Sequence, residues 1–95
     1  LNDDQREIIK AYAFSTANED QATIKKKLEE VRSGLLESID SYMTHKQENE
    51  FMVNKLRDTK SRILSESLDV VDDSTVSKFM LYSTLRQELN EGEES

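Results

Sequence analysis

Residues 41–51 read SYMTHKQENEF, and this stretch decides whether the middle of the chain is one long helix or two. Counting outward in alternate steps of four and three residues gives Ile24, Leu28, Val31, Leu35, Ser38, Tyr42, His45, Asn49, Met52, Leu56, Thr59 and Ile63. Eight of these twelve are apolar, the a/d pattern of a coiled-coil seam. Within the quoted stretch the inward positions fall on His45 and Asn49. Two readings follow. An Asn at an a position of a parallel pair bonds its twin and specifies register at a cost in stability. Alternatively the helix bends, breaks or faces water here, and THKQ caps a new helix at Thr44.

The residues flanking the seam bear on its partner. Lys25, Arg32, Lys46 and Lys60 occupy e positions, and Lys27, Lys55 and Arg62 occupy g positions. In-register self-pairing would set Lys27 near Arg32 and Lys55 near Lys60. Each such pair costs about 0.2–0.5 kcal/mol, while one buried Leu contributes about 1.5–3 kcal/mol. Like charges therefore select among partners without forbidding association. A second stripe, Leu36, Ile39, Met43 and Val53, lies outside the seam, and a two-stranded coil has no use for it. A bundle does. The segment TVSKFMLYSTLRQEL supplies Phe79, Met80 and Leu85 to fold back on that stripe, antiparallel to the second half of the long helix. Helix one, through Asp3, Asp4 and Glu7, and the C-terminal segment, through Glu88 and Glu91, offer acidic complements to the basic flanks.

Punctuation divides the chain into one all-α domain. Asn2 with Gln5 three residues on is a capping-box signature, and Asp3 and Asp4 suit the positive end of a helix dipole. A helix over 3–15 follows, with Ile8, Ile9, Tyr12 and Ala13 on one face. STANEDQ holds further cap pairs, Thr16 with Glu19 and Asn18 with Gln21, although a continuous helix stays open. The long helix is expected over 18–66, with Gly34 and Thr44 as its points of interruption. A linker spans 67–73, a helix capped by Asp73 or Ser74 spans 74–90, and an acidic tail frays over 91–95.

Composition restricts the function class. In 95 residues the apolar and charged fractions are both 35%, against roughly 45–50% and 25% in ordinary domains. The chain is short of core material, so it is expected to be elongated, oligomeric or completed by a partner. Residues 1–65 are nearly neutral, with twelve acidic and eleven basic side chains, whereas residues 66–95 hold eight acidic and two basic ones. No Cys is present, which removes disulfides and thiolate chemistry. The single histidine, His45, has no constellation of ligands or nucleophile around it in sequence, and no phosphate-binding glycine loop occurs. No catalytic, metal-binding or cofactor-binding residue is expected. The basic turns at Lys25–Lys27 and Lys55–Arg62 lack interleaved aromatic residues in a chain of pI about 4.7, so direct nucleic-acid binding is not expected. No apolar run approaches a membrane span. Opening on Leu1 rather than Met fits an excised fragment.

The sequence thus predicts a non-enzymatic interaction or oligomerisation module: an adaptor, scaffold or regulatory subunit, homo-oligomeric and intracellular, cytoplasmic or nuclear. Its interaction seam is Ile24, Leu28, Val31, Leu35, Tyr42, Asn49, Met52, Leu56 and Ile63. The alternative is an acidic regulator that engages a basic, nucleic-acid-binding protein through its C-terminal third.

Overall fold

A computed structural model describes the backbone of residues 1–94 and the side chains of residues 1–92. Four helices follow in order, α1 (Asp3–Ala17), α2 (Ala22–His45), α3 (Glu50–Ser65) and α4 (Asp73–Glu94), with no strand among the described residues. The long helix expected over 18–66 is two helices, and the break lies at 46–49, not at Gly34. Asn49 explains it. Its side chain accepts the Met52 N–H at 3.2 Å and caps α3, so the polar group in the seam is an N-cap. Thr44 caps nothing and donates back to the Asp40 carbonyl.

α2 is the spine. At about 1.5 Å per residue its 24 residues run about 36 Å, within overall Cα extents of 48 × 25 × 16 Å. The radius of gyration is 14.1 Å, above the roughly 12 Å of a compact domain of this length. α1 packs antiparallel on the first part of α2, since Glu7 meets Lys27 and Ser15 meets Ile24. α4 runs parallel to α2, with Gln21 at Val71, Gly34 at Arg86 and Ser38 at Asn90. α3 returns antiparallel to α2, bringing Lys60 to Asp40 and Arg32 to the Glu66 carbonyl.

The apolar residues close two adjoining cores. One holds Ile8, Ile24, Leu28, Val31, Leu68, Val71 and Phe79, and the other holds Leu35, Ile39, Leu56, Ile63 and Leu89. Tyr82 packs against both and meets Phe79 edge-to-face at 5.3 Å. A chain poor in large hydrophobic residues thereby spends its seam on itself. The expected antiparallel partner of α4 was the second half of the long helix. That segment is α3, and α4 instead lies closest to α2.

The helix ends carry specific bonds. Asn2 and Gln5 form the capping box, and their spare donors clasp α4: Asn2 reaches the Ser83 carbonyl and Gln87, and Gln5 reaches the Met80 carbonyl and Thr84. Thr16 and Asn18 do not start a helix. Asn18 ends α1, Glu19 turns the chain at φ 55°, and α2 is capped by Asp20 and by the buried Ser15 hydroxyl, which accepts the Ile24 N–H. Asp72, rather than Asp73 or Ser74, caps α4 by accepting the Thr75 N–H at 2.9 Å. The tail expected to fray from Glu91 is helical through Glu94, and Ser95 lies outside the described residues.

Candidate interaction surface

The predicted seam residues have been drawn inward. Ile24, Leu28, Val31, Leu35, Leu56 and Ile63 are at most 2% exposed, while Tyr42 and Met52 are half-buried and Asn49 is exposed at the α2–α3 turn. The second stripe divides between the cores. Ile39 is buried in the second core, with Leu36, Met43 and Leu85 at its rim, whereas Phe79 and Met80 belong to the first, and Val53 is half-buried. Seam and stripe are two sides of one intrachain core.

Among the basic flanks, Lys27 pairs with Glu7 and Lys60 with Asp40 from one helix to another, while on α4 Lys78 pairs with Glu66 and Arg86 with Asp4. Glu7 titrates below the usual carboxylate range because Lys27 bonds and attracts its charged form. Glu91, expected to complement Lys55, Lys60 and Arg62, accepts instead from Gln87 on its own helix. The charges that tie α4 to the bundle are thus the basic Lys78 and Arg86 rather than Glu91.

Sequence reasoning missed two features. Leu68 and Val71 of the linker are buried, and the Gln21 amide grips the Val71 peptide from both sides, accepting its N–H at 3.1 Å and donating to its carbonyl at 2.8 Å. Asp and Ser around them read as loop, so burial had no local signal. Arg86 lies against the α2 backbone where Gly34 leaves room. Its Nη1 donates to Asp4 at 2.7 Å, while its Nε is buried without a partner. The cleft beside it, about 240 Å³ between Asn2, Asp3, Asp4, Ser83, Gln87 and Asn90, falls below the roughly 300–1,000 Å³ of ligand pockets.

What stays outside is informative. Phe51 is 74% exposed and Leu81 71%. By helical phase Phe51, Lys55, Asp58 and Arg62 share the outer flank of α3, and Lys78, Leu81, Leu85 and Glu88 share a stripe on α4. The flanks approach one another at the C-terminal end of α3, where Glu66 contacts both Lys78 and Tyr82. Burial raises the Tyr82 pKa, the Glu66 carboxylate adds to the rise, and Arg62 opposes it, placing Arg62 on the same side. No Cα of α3 lies within 8 Å of a described Cα of α4. The two helices meet instead through longer side chains, Leu56 and Ile63 of α3 sharing the second core with Tyr82, Leu85 and Leu89 of α4, and Lys55, Arg62 and Lys78 stand on the flanks beside that contact.

His45 is exposed on the last turn of α2, with Nδ1 2.8 Å from the Ser41 carbonyl. Among the described residues no His, Cys, Asp and Glu cluster could hold a metal ion, and no helix is long and apolar enough to cross a membrane. Comparison with protein-family models, curated proteins and solved structures finds no match to this chain.

Proposed function

We propose that this chain is a non-enzymatic protein-binding module, an adaptor, scaffold or regulatory subunit, whose recognition face is the surface between α3 and α4. Its partner presents an amphipathic helix whose apolar side covers Phe51 and Leu81. The observation that carries this reading is the exposure of Phe51 and Leu81 on the outer flanks of those two helices. Leu1, Ile9, Phe14, Leu64 and Val70 are exposed as well, but Phe51 and Leu81 stand on two neighbouring helices that share a core. A helix laid on such a face is anchored by side chains at spacings of three, four and seven. Burying Phe51 and Leu81 contributes about 1.5–3 kcal/mol each, and rim charges select the partner and speed encounter more than they add affinity.

The test is a displayed library of amphipathic helices selected on the folded chain. Selected sequences are expected to lose at least about tenfold in affinity against Phe51→Ser/Leu81→Ser. Binders indifferent to that variant, with its fold intact by circular dichroism, would show that the recognition face lies elsewhere.

A further inference from the structure

We propose that the chain forms a domain-swapped dimer, in which the α2–α3 turn straightens and α3 with α4 packs on the α1–α2 pair of a second copy. This inference is independent of that recognition face. It rests on a contrast among the three connections. The α1–α2 turn is held by Glu19 at positive φ and by the buried Ser15 hydroxyl on the Ile24 N–H. The α3–α4 linker is held by the buried Leu68 and Val71 and by the paired bonds of Gln21. The α2–α3 turn has neither device. Lys46, Gln47, Glu48 and Asn49 include no Gly and no positive φ, and Gln47, Glu48 and Asn49 are exposed. What holds the turn is the Asn49 cap on Met52, the Asn49 N–H on the Lys46 carbonyl, and the closing bond from the Lys46 N–H to Tyr42.

The residues of this turn are also compatible with helix. Lys, Gln and Glu are strong helix formers, and a C-terminal Gly in left-handed conformation, the usual stop signal, is missing. The heptad phase supplies the second argument. The core positions of α2, Ile24, Leu28, Val31 and Leu35, stay in register with Leu56 and Ile63 of α3 when counted straight through the turn. Chance alone would align them in about two of seven registers, so phase supports the inference and the unpinned turn carries it.

Straightening joins residues 22–65 into one helix of about 66 Å. Ser65 then moves to about 50 Å along the axis from Arg32, and seven linker residues span at most about 25 Å. α4 cannot stay behind, so α3 and α4 leave together. On the second copy they remake the same contacts between chains: Lys60 with Asp40, Arg32 with the Glu66 carbonyl, and Arg86 with Asp4 and Gly34. Glu7 with Lys27 stays within one chain in both states. No new interface is required, which is why a swap is a low-cost route to a dimer.

The experiment uses this difference. Equal amounts of ¹⁵N-labelled and ordinary chain are refolded together from urea at high concentration, sized by light scattering, and treated with a carbodiimide, which joins a carboxylate to an adjacent amine. In the dimer fraction about half of the Asp40–Lys60 crosslinks are expected to join labelled to unlabelled peptides, while Glu7–Lys27 crosslinks stay unmixed. Asn49→Ala removes the cap and should favour the open form by roughly 2- to 30-fold per chain. Glu50→Pro occupies the first position of α3, where proline is tolerated, yet should disfavour the continuous helix by roughly 100-fold per chain. If Glu50→Pro folds poorly, Gln47→Gly/Glu48→Gly applies the same bias. Unmixed Asp40–Lys60 crosslinks in the dimer would overturn the proposal. So would a monomer at every concentration for both the parent chain and Asn49→Ala, or a dimer fraction unaffected by whichever helix-breaking variant folds.

Discussion

Replacing Gly34 with alanine sets a local gain against a tertiary loss. In the middle of α2, alanine is favoured over glycine by about 1 kcal/mol of helix propensity. The added Cβ would lie 2.6 Å from Arg86 Cζ and 2.9 Å from its second terminal nitrogen, well inside contact distance, so the guanidinium must move. It is held by Asp4 at 2.7 Å, with the two side chains 33% and 24% exposed. A hydrogen bond to a charged group contributes about 1.5–3 kcal/mol. Partial exposure reduces this to about 1–2 kcal/mol. Release of the unpartnered Nε to water offsets part of the loss. Gly34→Ala alone is therefore expected to change stability by between zero and about −1 kcal/mol. In an Arg86→Ala background, where no side chain reaches Gly34, it should gain the full 1 kcal/mol or so, about 4–8 °C in Tm. Urea and thermal unfolding of the four proteins give a double-mutant cycle whose coupling should reach about 1–2 kcal/mol. A coupling within the roughly 0.3–0.5 kcal/mol of ordinary additivity would refute the close approach of Arg86 to α2.

Leu28→Asp should abolish cooperative unfolding, since it places a charge at a fully buried position of the first core, whereas Leu81→Ser should stay within about 0.5 kcal/mol; equal effects in circular-dichroism melts would mean the inner and outer faces are misassigned. Glu19→Gly removes a left-handed penalty of about 1–2 kcal/mol and adds about 0.4–1 kcal/mol of unfolded-state entropy. A Tm unchanged to a few degrees higher is expected, and a fall would exclude the positive φ at this turn. Stability should also decline at both pH extremes. Asp72 is held below its ordinary pKa chiefly by the Thr75 N–H, and Glu7 by Lys27, so their contribution is complete above about pH 4 and is lost as pH falls through the lowered values. Tyr12 is raised chiefly by its bond to Asp73, and Tyr82 chiefly by burial; their contribution is complete below about pH 10 and is lost as pH rises through the raised values. Urea midpoints against pH check this, and Asp72→Asn, which keeps the cap acceptor without the charge, should flatten the acid limb.

The all-helical class and the inward face of the central segment were legible in the residues alone. Apolar side chains spaced by three and four commit Ile24, Leu28, Val31, Leu35, Leu56 and Ile63 to one side of a helix whatever lies opposite. The capping box at Asn2 and Gln5 was legible for the same reason, since donor and acceptor lie within one turn of each other. What lies opposite was not legible. Periodicity states that a face is buried and is silent on what buries it, so an intrachain core and an interchain seam leave the same trace. Asn49 carries that ambiguity in one residue, because a polar group at an a position suits a coiled-coil register or a helix cap equally. Leu68 and Val71 became core only when Gln21 reached across from another helix, and Gly34 acquired its reason only from Arg86. These contacts span some fifty residues of chain. The sequence determined by itself that the chain is helical and which faces turn inward, because those depend on neighbours three and four positions away; the tertiary structure alone decided what meets those faces, because that depends on long-range packing with no local periodicity.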